Sequence, residues 1–325
     1  MDLALAITYG ARMDELTGEF AQGLLGSIHA VTIARSSTIA WRPFVRLLRI
    51  WPQSTSVVIE AEKVRRKHVN HMYNQYLQKV ADGKKPTCIV SSLSADKLTL
   101  AELHGTCVSL LQAASDTIAS GIYQCVAWLC SPEGQPFQLE ALKEILETYN
   151  GDRDEAWRMP FREEKVPLIV SLYKETLRFF ATAPFSGRRA TKDIDILGTK
   201  IPKGIAVVMN IQALNHDKTH YGGDAHTFNP RRFMGNDSPS PHMSYGVGAR
   251  ICPAYQISNR IIYAMLARLL LAFDMKQVEG TRLPNTDMID FSAAYGLVAF
   301  PRGYDCSFTT RDEKWLKEKL VSEEA

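Results

Sequence analysis

The stretch SYGVGARICPAYQISNR, residues 244–260, decides how the rest of the chain is read. It sets one cysteine, Cys252, directly before Pro253 and a run of helix-forming residues. Proline is favoured at the first helical position, because its missing N–H is not needed there and its φ is already helical. On that ground Cys252 is expected at the N-cap, where free N–H groups and the positive end of the helix dipole favour thiolate over thiol. Gly246 and Gly248 let the backbone turn sharply and approach a flat ligand closely. Arg250, two residues before the cysteine, is placed to reach an anionic group on that ligand. A buried, inert thiol at a helix start is the commoner situation for a lone cysteine. The Gly/Gly/Arg/Cys-Pro spacing is what shifts the reading toward a ligand-binding thiolate.

Outward from this loop the chain reads as mainly helical. RIIYAMLARLLLAF carries an apolar stripe, so a helix is expected from Pro253 to about Phe273, and the tail after Gly280 reads as short strands and loops. Upstream, Ala213 to Pro241 is rich in Asn, Asp, His, Gly and Pro and reads as ordered, irregular coil. DIDILGTKIPKGIAVVMNI before it carries β-formers around two turn signals and predicts a small hairpin region. REEKVPLIVSLYKETLRFF, residues 162–180, reads as a helix that sets Glu175 and Arg178 on one face at i, i+3 spacing. A buried arginine needs a carboxylate held in fork geometry. From Leu98 to about Cys130 the chain is apolar all round and predicts a buried helix, with Ser115, Asp116 and Thr117 near its centre. Residues 58–82 predict a further helix that ends at Gly83. The fold class is therefore mainly α with small β-sheets, and residues 1–325 show no evident domain boundary.

Composition narrows the function. The chain has 325 residues, 46% hydrophobic and 22% charged, which suits a globular protein with a sizeable core. A net charge of +3 and the lack of a Lys/Arg run with interleaved aromatics argue against a nucleic-acid partner. The six cysteines, at 88, 107, 125, 130, 252 and 306, form no Cys-x-x-Cys pair, so a reducing compartment and single-thiol chemistry are expected. His104, His216, His220 and His226 lack metal spacing and read as core or surface histidines. No run of about 18 apolar residues occurs, so no membrane anchor is expected in this chain.

The positions of Tyr245, Gly248, Arg250 and Cys252 resemble the Phe-x-x-Gly-x-Arg-x-Cys-x-Gly pattern around the haem ligand of the cytochrome P-450 family. Two positions depart from it: Tyr245 stands for the phenylalanine, keeping an aromatic wall beside the sulfur, and Ala254 stands for the last glycine. Glu175 and Arg178 match the family's Glu-x-x-Arg, and FNPRRF supplies Phe228, Pro230, Arg232 and Phe233 in its Phe-x-Pro-x-Arg-Phe pattern. By that resemblance Arg232 closes a Glu-Arg-Arg cluster that holds the cysteine loop in place. Ala113 to Thr117 resembles the family's Ala/Gly-Gly-x-Asp/Glu-Thr motif, with Ala114 in place of the usual glycine. The motifs occur in family order, and the likeness runs from about residue 98 to 310.

The resemblance implies a cytochrome P-450 fold, N-terminally short, and haem b with the Cys252 thiolate as axial ligand. Tyr245, Gly248, Arg250 and Arg189 would bind the cofactor; Arg188 is adjacent to Arg189 and an alternative to it. Asp116 and Thr117 would be the catalytic pair, delivering protons for dioxygen activation, although an Asp-Thr pair also commonly just caps or kinks a helix. Residues 181–186 and 293–298 would touch substrate. Electrons would come from an NADPH-dependent flavoprotein reductase docking near Arg250 and Arg260. The likeness is to fungal members, including phenylacetate-hydroxylase-like ones, which implies a monooxygenase acting on a small aromatic acid or a secondary-metabolite intermediate. Membrane association would belong to a full-length form, and the expected location is the cytoplasm or the cytosolic face of the endoplasmic reticulum. A haem-thiolate isomerase or dehydratase, or a truncated non-catalytic fragment, are the competing expectations.

Overall fold

The computed structural model describes residues 2–12, 18–34, 56–93, 98–282 and 298–324. The described residues divide into two compact units, the first running up to residue 117 and the second from residue 118 onward.

In the first unit α1 (Asp2–Tyr9), α2 (Gly18–Ala34), α3 (Ser56–Ala81), α4 (Ile89–Leu93) and the start of α5 (Leu100–Cys130) surround a core that includes Leu5, Leu24, Met72, Val90 and Leu111. The helix read at residues 58–82 is α3. Thr99 and Glu102 start α5 with a reciprocal cap: the Thr99 N–H donates to the Glu102 carboxylate at 2.8 Å, and the Glu102 N–H donates to Thr99 Oγ1 at 3.3 Å.

The second unit contains the rest of α5, then α6 (Gly134–Thr148), α7 (Arg153–Arg158) and α8 (Pro167–Phe179). After the sheet segments come two short helices, α9 (Ile211–Leu214) and α10 (Lys218–Tyr221), then α11 (Tyr255–Ala272) and α12 (Glu313–Glu324). Leu129, Ile145, Ile169, Leu172, Tyr263 and Leu270 are among the side chains that make its core. The helix expected at 162–180 begins only at Pro167, because Val166 is extended and proline takes the first helical position. The hairpin region is present as β2 (Ile194–Ile196) antiparallel to β3 (Thr199–Ile201). It turns at Leu197 (φ 52°) and Gly198 (φ 80°). Around it β1 (Phe185–Arg189) pairs antiparallel with β4 (Ala206–Asn210). The tail is more ordered than its sequence suggested: β5 (Phe273–Gln277) pairs with β6 (Cys306–Thr310), and α12 follows. Trp315 anchors α12 by donating its indole N–H to Asp154 at 2.7 Å, while the Arg153 guanidinium lies 3.8 Å from its ring centroid.

Gly134 marks the tight joint between α5 and α6. A Cβ there would press on the Trp128 carbonyl and lie 2.6 Å from the Leu129 carbonyl oxygen and 2.7 Å from its Cα. These are backbone atoms, so no rotamer change relieves the clash. Gly134→Ala is expected to cost about 1–3 kcal/mol or more and to lower the melting temperature by several degrees, read by thermal unfolding. An unchanged melting temperature would contradict the packing described for this joint.

Candidate functional site

The site is built on α8. Glu175 and Arg178 are fully buried, which their isolated i, i+3 spacing did not require. Arg178 grips the carboxylate with both prongs, Nε to Oε2 and Nη2 to Oε1, each at 2.7 Å. Its Nη1 donates to the carbonyls of Asn215 (2.7 Å) and Ala225 (2.8 Å). Arg232 closes the cluster, 3.2 Å from Glu175 Oε2. It also donates to the Tyr221 carbonyl and Asp224 Oδ1, each at 3.0 Å. The Asn229 N–H donates to Glu175 Oε1 at 2.8 Å. Glu175 thus receives two guanidiniums and a backbone amide, which balances its charge in a low-dielectric interior. The stretch after Ala213, read as irregular coil, contains the short helix α10, and its carbonyls are what pin it to α8.

From this cluster a second set of hydrogen bonds reaches the cysteine loop. Asn215, whose carbonyl Arg178 holds, accepts the Met243 N–H at 2.8 Å and donates to Ser244 Oγ at 2.9 Å. Ser244 Oγ in turn donates to the Leu177 carbonyl of α8. The Ser244 N–H donates to His242 Nδ1 at 3.2 Å. These residues were invisible to sequence reasoning: their partners are backbone groups far along the chain, and no periodic pattern marks them.

His242 is 2% exposed, and burial first, then the Lys174 and Arg178 charges, pushes its pKa down to about 3. Below the ordinary histidine value of about 6.5, the unfolded chain takes up a proton that the folded chain refuses. Stability is therefore expected to fall as pH drops from about 6.5 toward 3, with His242 contributing up to about 1.4 kcal/mol per pH unit. His242→Asn keeps an acceptor for the Ser244 amide but does not titrate. It is expected to flatten the dependence of melting temperature on pH in that window, and an unchanged slope would count against a buried neutral imidazole.

The cysteine loop begins with a 3-10 turn at Met243–Tyr245, and a second follows at Gly248–Arg250. Gly246 (φ 74°) and Gly248 (φ 67°) take left-handed conformations that L side chains rarely adopt, as their spacing predicted. The Cys252 N–H donates to the Tyr245 carbonyl at 2.8 Å and closes the loop. One expectation is corrected here. Cys252 is not the N-cap of α11: Ala254 is, and Pro253 lies in the turn before the helix. The reason is that the loop's own closure holds the Cys252 amide, so the chain needs two more residues to enter helical geometry. Ala254 sits at φ −95°, ψ 10°, where no glycine is needed, so its departure from the family pattern carries no backbone strain.

Cys252 is half-buried, and its sulfur makes no hydrogen bond among the described residues. Cys88, Cys107, Cys125 and Cys130 are buried instead. Desolvation pushes the Cys125 thiol up to about 12 and also raises those of Cys107, Cys130 and Cys306. Tyr245 lies against this loop, its phenol raised by burial first and then by Cys252 and Glu164. Arg250 is exposed, with no carboxylate partner among the described residues. Arg189, also exposed, donates to the Gly204 carbonyl at 3.1 Å, and Arg188 donates to its neighbours Ser186 and Gly187. Arg260 is not the free charge it was expected to be, because its Nε lies 3.0 Å from Glu164 Oε1.

On α5, Thr117 Oγ1 donates back to the Ala113 carbonyl at 2.6 Å, the local bond that its Asp-Thr setting permits. Asp116 Oδ1 accepts from Ser115 Oγ at 3.2 Å, while its shielded Oδ2 has no partner among the described residues. Residues 181–186 lie at the entry to β1, with the Thr182 carbonyl accepting the Ala299 N–H at 2.9 Å. Of the second expected substrate segment, residues 293–297 lie outside the described residues. No group of three or more His, Cys, Asp or Glu placed to hold a metal occurs among the described residues. No helix among them is long and apolar enough to cross a membrane.

Comparisons with known proteins converge. The cytochrome P-450 family model matches residues 1–303. Phenylacetate 2-hydroxylase of Emericella nidulans is 31% identical over 98% of this chain and 64% of its own length. The 3-hydroxyphenylacetate 6-hydroxylase of the same organism is 26% identical over 98% of this chain and 62% of its own length. The chain therefore spans somewhat under two thirds of these relatives. A zebra fish cytochrome P-450 structure with abiraterone superposes with a TM-score of 0.72 at 19% identity, covering 96% of this chain and 69% of that one, which supports the fold. With a family match along nearly all of its length and a buried Glu-Arg-Arg cluster bracing a cysteine loop, this chain belongs to the cytochrome P-450 family.

Proposed function

We propose that this chain belongs to a monooxygenase that hydroxylates a small organic acid, and that the Cys252 thiolate would hold its haem b. The carrying observation is the cysteine loop: a half-buried sulfur with no hydrogen-bond partner among the described residues, on a loop closed by its own backbone and turned by two left-handed glycines. The donor set fits the group. A porphyrin brings its own four nitrogens and asks the chain for one soft ligand, which a thiol supplies. When bound, haem supplies the redox chemistry of dioxygen activation, and a thiolate ligand favours O–O cleavage.

The chain's own residues supply the rest. Cys252 would be the ligand. Arg250 and Arg189 are exposed guanidiniums suited to carboxylates on the cofactor's rim. Tyr245 and Gly248 shape the loop beside the sulfur. Thr117, its hydroxyl hydrogen committed to Ala113, keeps lone pairs that can order a water. Asp116, with one unpartnered oxygen, is the group that exchanges protons. Electrons would arrive from an NADPH-dependent flavoprotein reductase; with Arg260 paired, Arg250 is the cationic contact to test first. The substrate class is carried by the named relatives, which act on phenylacetate and 3-hydroxyphenylacetate. Residues 1–325 would act as one cytochrome P-450 domain at the cytosolic side of the cell.

The test is product analysis with arylacetic acids, reductase and isotopically labelled dioxygen. One labelled oxygen in the product is expected, with Thr117→Ala lowering turnover about a hundredfold. An unlabelled product would point instead to isomerase or dehydratase chemistry.

A further inference from the structure

Tyr245 carries a hydroxyl where the family pattern has a phenylalanine, and the structure gives that hydroxyl a partner. Tyr245 Oη donates to Asn259 Oδ1 at 2.7 Å, and Asn259 Nδ2 donates to the Pro239 carbonyl at 2.7 Å. Asn259 lies in α11 and is 3% exposed, while Tyr245 is half-buried and Pro239 is exposed, so the Tyr245–Asn259 bond is the better shielded of the two. The backbone carbonyl of the same Tyr245 accepts the Cys252 N–H at 2.8 Å. The loop is thus held from two sides: Asn215 and Ser244 tie its entry to α8, and Asn259 ties the ring of Tyr245 to α11.

We infer that Asn259 is a positioning residue for Cys252, acting through the Tyr245 hydroxyl to fix the carbonyl on which the cysteine amide hangs. The inference rests on the reading of Cys252 as the haem ligand. It explains how the chain carries a tyrosine at a wall position: an unpaired buried hydroxyl would be costly, and Asn259 satisfies it. Removing either partner leaves the other buried without a bond, which loosens the loop and lets the sulfur leave its place.

The test uses the haem-loaded chain with Tyr245→Phe, Asn259→Ala and the double substitution. Three quantities are read: the rate at which the reduced, carbon-monoxide-bound form loses its red-shifted thiolate band, the melting temperature, and the alkylation rate of Cys252 by iodoacetamide in haem-free protein, followed by peptide mass spectrometry. Each single substitution is expected to speed band loss and alkylation about tenfold, the effect of one buried bond left unmade. The double substitution should do no more than the larger single, because both act through one bond. Additive effects, or a lower melting temperature with unchanged band loss and alkylation, would overturn the inference. Tyr245→Phe restores the family's own residue, so it keeps the test decisive should Asn259→Ala fail to fold. If the unsubstituted chain shows no thiolate band, the haem reading fails, and alkylation still decides this one: a faster rate supports it and an unchanged rate overturns it.

Discussion

Glu175→Gln is expected to be the most damaging single-atom-scale change in the fold, removing about 3–5 kcal/mol of stability and lowering the melting temperature by about 10 °C or more. The reason is electrostatic. Arg178 is fully buried, and its guanidinium is balanced only by the carboxylate it grips with two bonds of 2.7 Å. Glutamine keeps the shape and one acceptor oxygen but leaves that charge uncompensated, and two of its own donors then face the N–H groups of Arg178 and Arg232. The loss should spread. Arg178 and Arg232 hold the carbonyls of Asn215, Ala225 and Tyr221, so the coil that braces the cysteine loop loses its anchor. Asp224→Asn is the internal control. Its carboxylate is 54% exposed beside Arg232, so water screens the pair and the effect should be far smaller. Thermal unfolding of the two variants checks the contrast, and near-equal melting temperatures would mean that burial does not set the cluster's weight.

The helices and the cysteine loop were legible because their signals are local. The segment from Leu98 to Cys130 does form a helix, but it is not buried all round as its composition suggested: Leu100, Ala101, Gly105, Thr106, Ser109 and Ala113 are exposed, and burial is dense only toward Cys130, while Gly246 and Gly248 announce left-handed turns that the backbone does take. The Glu175-Arg178-Arg232 cluster was legible only through the family resemblance, since i, i+3 spacing alone does not distinguish a buried pair from a surface one. What escaped reading is long-range. Asn215 and Asn259 gain their roles from backbone carbonyls and a phenol contributed by other segments. The pairing of Arg260 with Glu164 joins residues 96 positions apart, and α12 is fixed by Trp315 meeting Asp154 across 161 positions. The N-cap was misplaced for a related reason: Pro253 is a good first helical residue by propensity, but closure of the loop onto Tyr245 outweighs it and moves the helix start to Tyr255.

Cys252→Ala is expected to have the largest functional effect, complete loss of the proposed thiolate ligation with little loss of stability. The side chain is half-buried and its sulfur has no hydrogen-bond partner among the described residues, so truncating it leaves neither a core cavity nor an orphaned partner. The loop should stay closed, because the bond that closes it uses the backbone N–H of residue 252 and not its side chain. The remaining thiols are poor substitutes: four are buried, and desolvation raises that of Cys306. The deciding measurement is the absorption spectrum of the reduced, carbon-monoxide-bound chain beside that of Cys252→Ala. A strongly red-shifted Soret band in the first, absent from the second while the melting temperature of the haem-free proteins agrees, is the expected result. A chain that takes up no haem, or a red-shifted band that survives the substitution, would contradict the assignment of Cys252 as the ligand.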